Sequence, residues 1–339
     1  MELFDERLIL WQTKLDDYVC GIGWTQESSF ISVATASGYL FSLDNINGDV
    51  TNKIKVHNEI LAMSPSPRFP QTATAGADGY VKCFDTRRGD LLFEQKLGNG
   101  WVEKLVWSPD GNYLAIGYGK IFILLYQNGK IHYKSDSLVS TISGLCWKND
   151  SSILAIAYYG GVLLYSVLEN TIQEIPFSNA LVSLSWSKDG KFICGGTQDH
   201  RIHFWELPLT DESDFEMSGY PTKVNILDWD FQSKFFASNC YNDIIVWQIE
   251  GDRPVGKVPL TLSGHLGKVT SMAFQHNSFV LASGEENGII WFWNPNRKKE
   301  AYCGALIEGA ISQIKWSPND NQLVVGTASG LVSLLDSPI

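Results

Sequence analysis

One three-part phrase recurs along this chain, and it constrains the fold more than any other feature. It begins with an alternating apolar run that ends near an aromatic residue, followed by a polar turn. A second apolar run then ends in small residues, and a tight turn leads into a third run. The aromatic stands at Trp24, Trp107, Trp147, Trp186, Trp229, Phe274 and Trp316, with a blurred copy around Met63, where Ser64-Pro65-Ser66-Pro67 occupies the turn. Successive spacings run from 39 residues (Trp24 to Met63) to 45 (Trp229 to Phe274).

The second run and its turn repeat as clearly. They read Ser32-Val33-Ala34-Thr35-Ala36-Ser37-Gly38, Ala73-Thr74-Ala75-Gly76-Ala77-Asp78-Gly79, Cys194-Gly195-Gly196-Thr197-Gln198-Asp199, Ala282-Ser283-Gly284-Glu285-Glu286-Asn287-Gly288 and Val325-Gly326-Thr327-Ala328-Ser329-Gly330. Small residues let strands approach closely, and an Asp/Asn/Ser-Gly pair supplies the positive φ of a two-residue hairpin. Runs such as Ile289-Ile290-Trp291-Phe292-Trp293 are β-rich. No segment sustains the i, i+3, i+4, i+7 stripe of a helix.

A fixed period of this length is that of a four-stranded propeller blade. The expected fold is therefore all-β: a single β-propeller of four-stranded antiparallel blades over residues 1–339, with eight blades favoured over seven. The repeats fall near 16–56, 57–97, 98–138, 139–178, 179–220, 221–263, 264–307 and 308–339. The last copy stops after its third strand, Leu331-Val332-Ser333-Leu334-Leu335-Asp336, while an unassigned β-like segment lies within residues 1–15. That segment is expected to supply the outer strand of the last blade and cover its edge.

Across essentially its whole length the chain resembles the WD-repeat family. The copies that carry the resemblance are Ala73 to Asp85, Ile193 to Glu206, and Gly264-His265 through Trp293-Asn294. Only one Gly-His pair occurs, and no third strand ends in a literal Trp-Asp. The resemblance implies a hydrogen-bonded tetrad of His, Ser/Thr, turn Asp and Trp within a blade. It maps onto His265, Ser283, Asn287 (for Asp) and Trp293, and onto His57, Thr74 and Asp78 with Phe84 in the Trp position.

Composition narrows the function. A net charge of −11 opposes the counterion release that drives nucleic-acid binding. The acidic start, Met1-Glu2-Leu3-Phe4-Asp5-Glu6, lacks the basic and apolar regions of a signal peptide, and no run of about 18 apolar residues could span a membrane. The six cysteines are scattered, without a C-x-x-C pair, as in a cytoplasmic protein with packed thiols.

Catalytic patterns are missing: no G-x-S-x-G elbow, no G-x-x-x-x-G-K-[ST], no H-E-x-x-H. His200 and His203 give two metal ligands at best, where a structural zinc needs four. No metal and no cofactor is expected. Asp16-Asp17 and Glu285-Glu286 are expected to be loop carboxylates.

A binding role fits better. Loops before first strands and those between second and third strands share one face of a propeller. Tyr18, Trp101, Tyr118 and Tyr158 are expected there on the early copies, with Lys223, Lys268 and Glu285 on the later ones. Aromatic anchors commonly carry interface energy, but they could equally plug the mouth of a central channel. The reading is a non-catalytic scaffold or adaptor that binds a partner peptide or loop, monomeric alone or one subunit of a hetero-complex. The alternatives are a small-molecule-binding or hydrolytic propeller with its site in the channel mouth, or a purely structural subunit of a larger complex.

Overall fold

A computed structural model of the chain describes residues 4–25, 29–249, 253–254 and 256–338. Seven of the repeats are four-stranded antiparallel sheets whose strands are hydrogen-bonded in chain order, and the eighth sheet also has four strands. Sheets one to seven span 19–55, 60–96, 102–134, 142–177, 185–217, 227–263 and 269–306. Sheet eight takes three strands from 311–336, and its outer strand is the N-terminal Ile9–Lys14, paired with Leu331–Asp336. The expected completion of the last sheet by the N-terminal segment is therefore present. Among the described residues there is no α-helix, only a 3-10 turn at Glu6–Leu8.

The sheets form two compact units: residues 13–180 hold sheets one to four, and the remainder holds sheets five to eight. In both units burial falls from the second and third strands toward the outer one. Gln71–Gly76 is buried throughout, whereas Val50–Lys55 and Leu91–Lys96 alternate between exposed and half-buried residues. The outer strands carry lysines such as Lys53, Lys55 and Lys96, which discourage pairing with a foreign strand.

Neighbouring sheets pack face to face through apolar clusters. In the 13–180 unit, Ala73, Ala75, Val81 and Cys83 of sheet two meet Trp107, Leu114, Ile116 and Leu125 of sheet three. Two of the recurrent first-strand aromatics add a directional bond, whereas the indole N–H groups of Trp107 and Trp229 are buried without a partner among the described residues. The Trp147 indole N–H donates to the Val106 carbonyl of the preceding sheet at 3.3 Å. In the other unit, Trp316 donates to Ala273 at 2.9 Å. Each accepting carbonyl belongs to the residue just before that sheet's own first-strand aromatic, so the period is used as a docking register.

The first strands of sheets one to four, seven and eight share a register irregularity one residue in, skipping Cys20, Leu61, Glu103, Ser143, Thr270 and Ser312. A bulge of this kind bends the strand and re-aims side chains at the rim of a sheet. The hairpin glycines meet the predicted need for positive φ. Gly79 (φ 75°) also abuts the chain that follows the outer strand, because a Cβ there would lie 2.0 Å from the Gly98 carbonyl oxygen.

Candidate interaction face

In an antiparallel meander, the chain entering the first strand and the second hairpin lie at the same end of the sheet. Within residues 13–180 that end presents Trp101, which is 65% exposed, together with Tyr18, Val139 (76%) and Tyr159 (61%). Trp101 faces outward because the next residue, Val102, is fully buried and begins the strand opposite Tyr118. The loop that carries it is held in place. Gly100 N–H donates to the Tyr118 hydroxyl at 3.1 Å, and a Cβ on Gly98 would sit 2.1 Å from that oxygen. Tyr118 is thus a brace for the Trp101 loop.

Beside Trp101 lies a notch of 360 Å³ between sheets three and four, bounded by Glu103, Lys104, Gly117, Gly119, Thr141 and Ile142. Two of its walls are bare backbone because Gly117 and Gly119 have no side chains. Ile142 N–H donates to the Gly119 carbonyl at 2.9 Å, tying the two sheets at that point. Val139 and Tyr159 are tied in as well: Lys120 Nζ donates to the Val139 carbonyl and Ser140 Oγ to that of Tyr159. The arrangement offers an apolar platform beside a notch walled in part by bare backbone.

Two residues expected on this type of surface are elsewhere. Tyr158 is only 3% exposed; it packs in the sheet-four core and its hydroxyl donates to Glu174. Burial pushes that phenol up to about 12, and the Glu174 carboxylate adds to the shift. Glu285 is fully buried, so it is not a loop carboxylate; its companion Glu286 is exposed. Lys223 and Lys268 are exposed on the other unit, where Lys268 N–H donates to Glu286.

Glu285 instead completes the hydrogen-bonded network of sheet seven. Trp293 Nε1–H donates to Ser283 Oγ at 2.8 Å, and Ser283 Oγ lies 2.7 Å from His265 Nε2. His265 Nδ1 then faces Glu285 Oε2 at 3.2 Å, and Gly267 N–H donates to the same oxygen at 2.7 Å. Asn287, expected in the acid position, is exposed at the turn. The longer Glu side chain, starting from the end of the strand, fills the place that a turn Asp fills elsewhere. Burial pushes the His265 imidazole well below its usual range despite the carboxylate beside it.

In sheet two, His57 Nδ1 lies 3.0 Å from both Asp78 oxygens and its Nε2 lies 3.0 Å from Thr74 Oγ1. Burial lowers the His57 imidazole, with Asp78 opposing. Asp78 is partly buried, which opposes ionisation, yet hydrogen bonds from His57 and the Tyr80 N–H hold its carboxyl below the usual value. Phe84, two residues past the partner of Thr74 on the third strand, has no N–H to offer.

Sheet six carries a third network that sequence reasoning missed. Trp247 Nε1–H donates to the Tyr220 hydroxyl at 3.2 Å, and that hydroxyl lies 2.8 Å from Ser238 Oγ. Tyr220 precedes Ser238 by 18 residues, the same separation as His265 and Ser283. A tyrosine has taken the histidine's place.

Comparison with known proteins agrees with this geometry. The family model described as WD domain, G-beta repeat matches residues 171–206 and 256–294, the second stretch containing the entire Trp293–Ser283–His265–Glu285 network. Actin-interacting protein 1 of Caenorhabditis elegans is 20% identical over 92% of this chain and 52% of its own length. Over these stretches the chain is similar to WD-repeat proteins. It is also similar to a WD repeat-containing protein 26 homolog of Arabidopsis thaliana, 22% identical over 75% of this chain and 45% of that protein. The anaphase-promoting complex subunit cdc20 of Dictyostelium discoideum is 26% identical over 54% and 37%. The chain thus spans about half the length, or less, of these curated relatives. Among solved structures, the computationally designed Ika8 protein shares the fold with a TM-score of 0.80 at 19% identity, over 97% of this chain and 99% of that one. WD-repeat relatives are in general protein-interaction scaffolds or regulators. No helix among the described residues is long and apolar enough to cross a membrane, and no group of three or more metal-binding side chains occurs among them.

Proposed function

We propose that the propeller is a non-catalytic scaffold that docks an apolar segment of a partner protein on the Trp101 platform of residues 13–180. The observation that carries this reading is a tryptophan 65% exposed beside a 360 Å³ notch, on a loop braced from beneath by Tyr118. A large side chain presented rigidly loses little conformational freedom on binding, which is what favours aromatic residues as interface anchors. Lys223 and Lys268, exposed on the other unit, are proposed to meet acidic groups of a partner. The absence of turnover is supported by the candidate acid Glu285, which is buried against His265 rather than open to a substrate. A cytosolic compartment is supported by the buried Cys83 and Cys194.

The test is affinity capture from native extract, followed by titration of the purified partner against wild type and Trp101→Ala. A loss of at least about tenfold in affinity is expected, as for a hot-spot aromatic, with the melting transition unchanged. Equal affinity for the two proteins would reject the platform as the docking site.

A further inference from the structure

The second cavity of interest lies at the opposite end of the sheets, in the unit that holds sheets five to eight. It measures 580 Å³ and is walled by the aromatic rings of Phe231, Phe279 and Tyr302. Phe231 and Phe279 pack at 5.0 Å between ring centroids, forming one apolar wall. Two of the lining residues carry a polar atom that is buried and has no hydrogen-bond partner among the described residues: the Tyr302 hydroxyl and Asn294 Oδ1. Burial pushes the Tyr302 phenol above its ordinary range, so it stands as a protonated donor.

The rim is cationic. Arg297 and Lys298 line the cavity and are exposed, and neither has an ion-pair partner among the described residues. With Lys299 they make the longest unbroken basic run in a chain of net charge −11. One nearby acid is already engaged, since Asp320 accepts from the His276 ring and from the His276 and Asn277 N–H groups, while Glu300 is exposed at the end of the basic run.

We infer that this cavity binds an acidic linear peptide of a partner protein, anchored by one large apolar side chain. The volume exceeds what a single side chain fills and lies in the range of built ligand sites. The anchor would pack against the Phe231–Phe279 wall. The Tyr302 ring would extend that apolar wall. Carboxylates flanking the anchor would reach Arg297 and Lys298, where a guanidinium and an ammonium give charge-assisted bonds. This site is separate from the Trp101 platform and does not depend on it.

The probe is a fluorescein-labelled heptapeptide, Glu-Asp-Glu-Phe-Glu-Asp-Glu, followed by fluorescence anisotropy on the full chain. Two control peptides replace the central Phe with Ala, or all the acidic residues with Lys. The acidic Phe peptide is expected to bind at least about tenfold more tightly than either control. Arg297→Glu with Lys298→Glu, both at exposed positions, is expected to weaken it at least about tenfold with an unchanged melting curve. Trp101→Ala is expected to leave it unchanged. Failure of the acidic Phe peptide to bind, or equal binding of the Ala peptide, would overturn the proposal. So would binding that survives the charge reversal, or that is lost in Trp101→Ala.

Discussion

Sheets two and seven solve the same problem with acids of different reach. In sheet two, Asp78 extends from the turn, keeps part of its surface in water, and also accepts from the Tyr80 N–H. In sheet seven, Glu285 extends from the strand itself and is sealed from solvent with His265, while its second oxygen, Oε1, lacks a hydrogen-bond partner among the described residues. His57 Nδ1 is hydrogen-bonded to Asp78, whereas His265 Nδ1 faces Glu285 without a hydrogen bond; a second difference lies in what is left behind if the imidazole is removed. A half-solvated carboxylate can rehydrate, whereas a buried one cannot.

That contrast is open to direct attack. His265→Ala is expected to cost about 3–5 kcal/mol, the loss typical of a buried pair deprived of one partner. His57→Ala is expected to cost only about 1–2 kcal/mol, because Asp78 keeps water and a backbone bond. Urea denaturation of both variants measures the gap, and equal losses would show that burial of the acid does not set the cost. Tyr220→Phe asks whether the third network behaves like the other two. Removing the oxygen shared by Trp247 and Ser238 is expected to cost about 1–2 kcal/mol, and a silent substitution would reduce that trio to packing.

A smaller effect is expected from pH. Both imidazoles are lowered by burial, so the unfolded chain takes up protons before the folded one does. Stability held in full above the ordinary histidine value of 6.5 is then lost progressively as pH falls below it. The melting temperature should drop between pH 7 and pH 5, and His265→Gln should flatten that slope more than His57→Gln. An unaltered slope in both variants would place the titration elsewhere.

Much of the fold was legible because its signals are local. A hairpin glycine, a run of small residues and an aromatic at a fixed spacing each act within a few residues, and their recurrence every 39 to 45 positions gives the sheet count directly. The N-terminal strand could be inferred from what the last repeat lacked. The site was less legible, and the failures share one cause. The final residue of each second strand reads as loop, yet Thr35, Tyr158, Thr197, Glu285 and Thr327 are all buried there. Three of them cap the following turn: Thr35 bonds Ser37, Thr197 bonds Asp199 and Thr327 bonds Ser329. The Thr-x-Ser/Asp spacing was a readable sign of this inward direction. Nothing so local marks Glu285, whose partner His265 lies 20 positions earlier. Trp101 could be placed outward because it stands in the loop just before a first strand whose opening residue, Val102, is apolar and buried.

The strand Ile9–Lys14 leaves the ribosome before any other strand of this chain, but its partner Leu331–Asp336 leaves after all the rest. Gln12 reaches its hydrogen bond with Ser333 across 321 positions of sequence. Contacts at such separation raise contact order and slow folding. Sheets one to seven are complete meanders that can form during synthesis, so the earliest strand must wait as an unpaired edge until Leu331–Asp336 has been made. The sheet-eight pairing is therefore the step most exposed to competition from another copy's N-terminal strand, and exchange of that strand is the assembly error this topology invites.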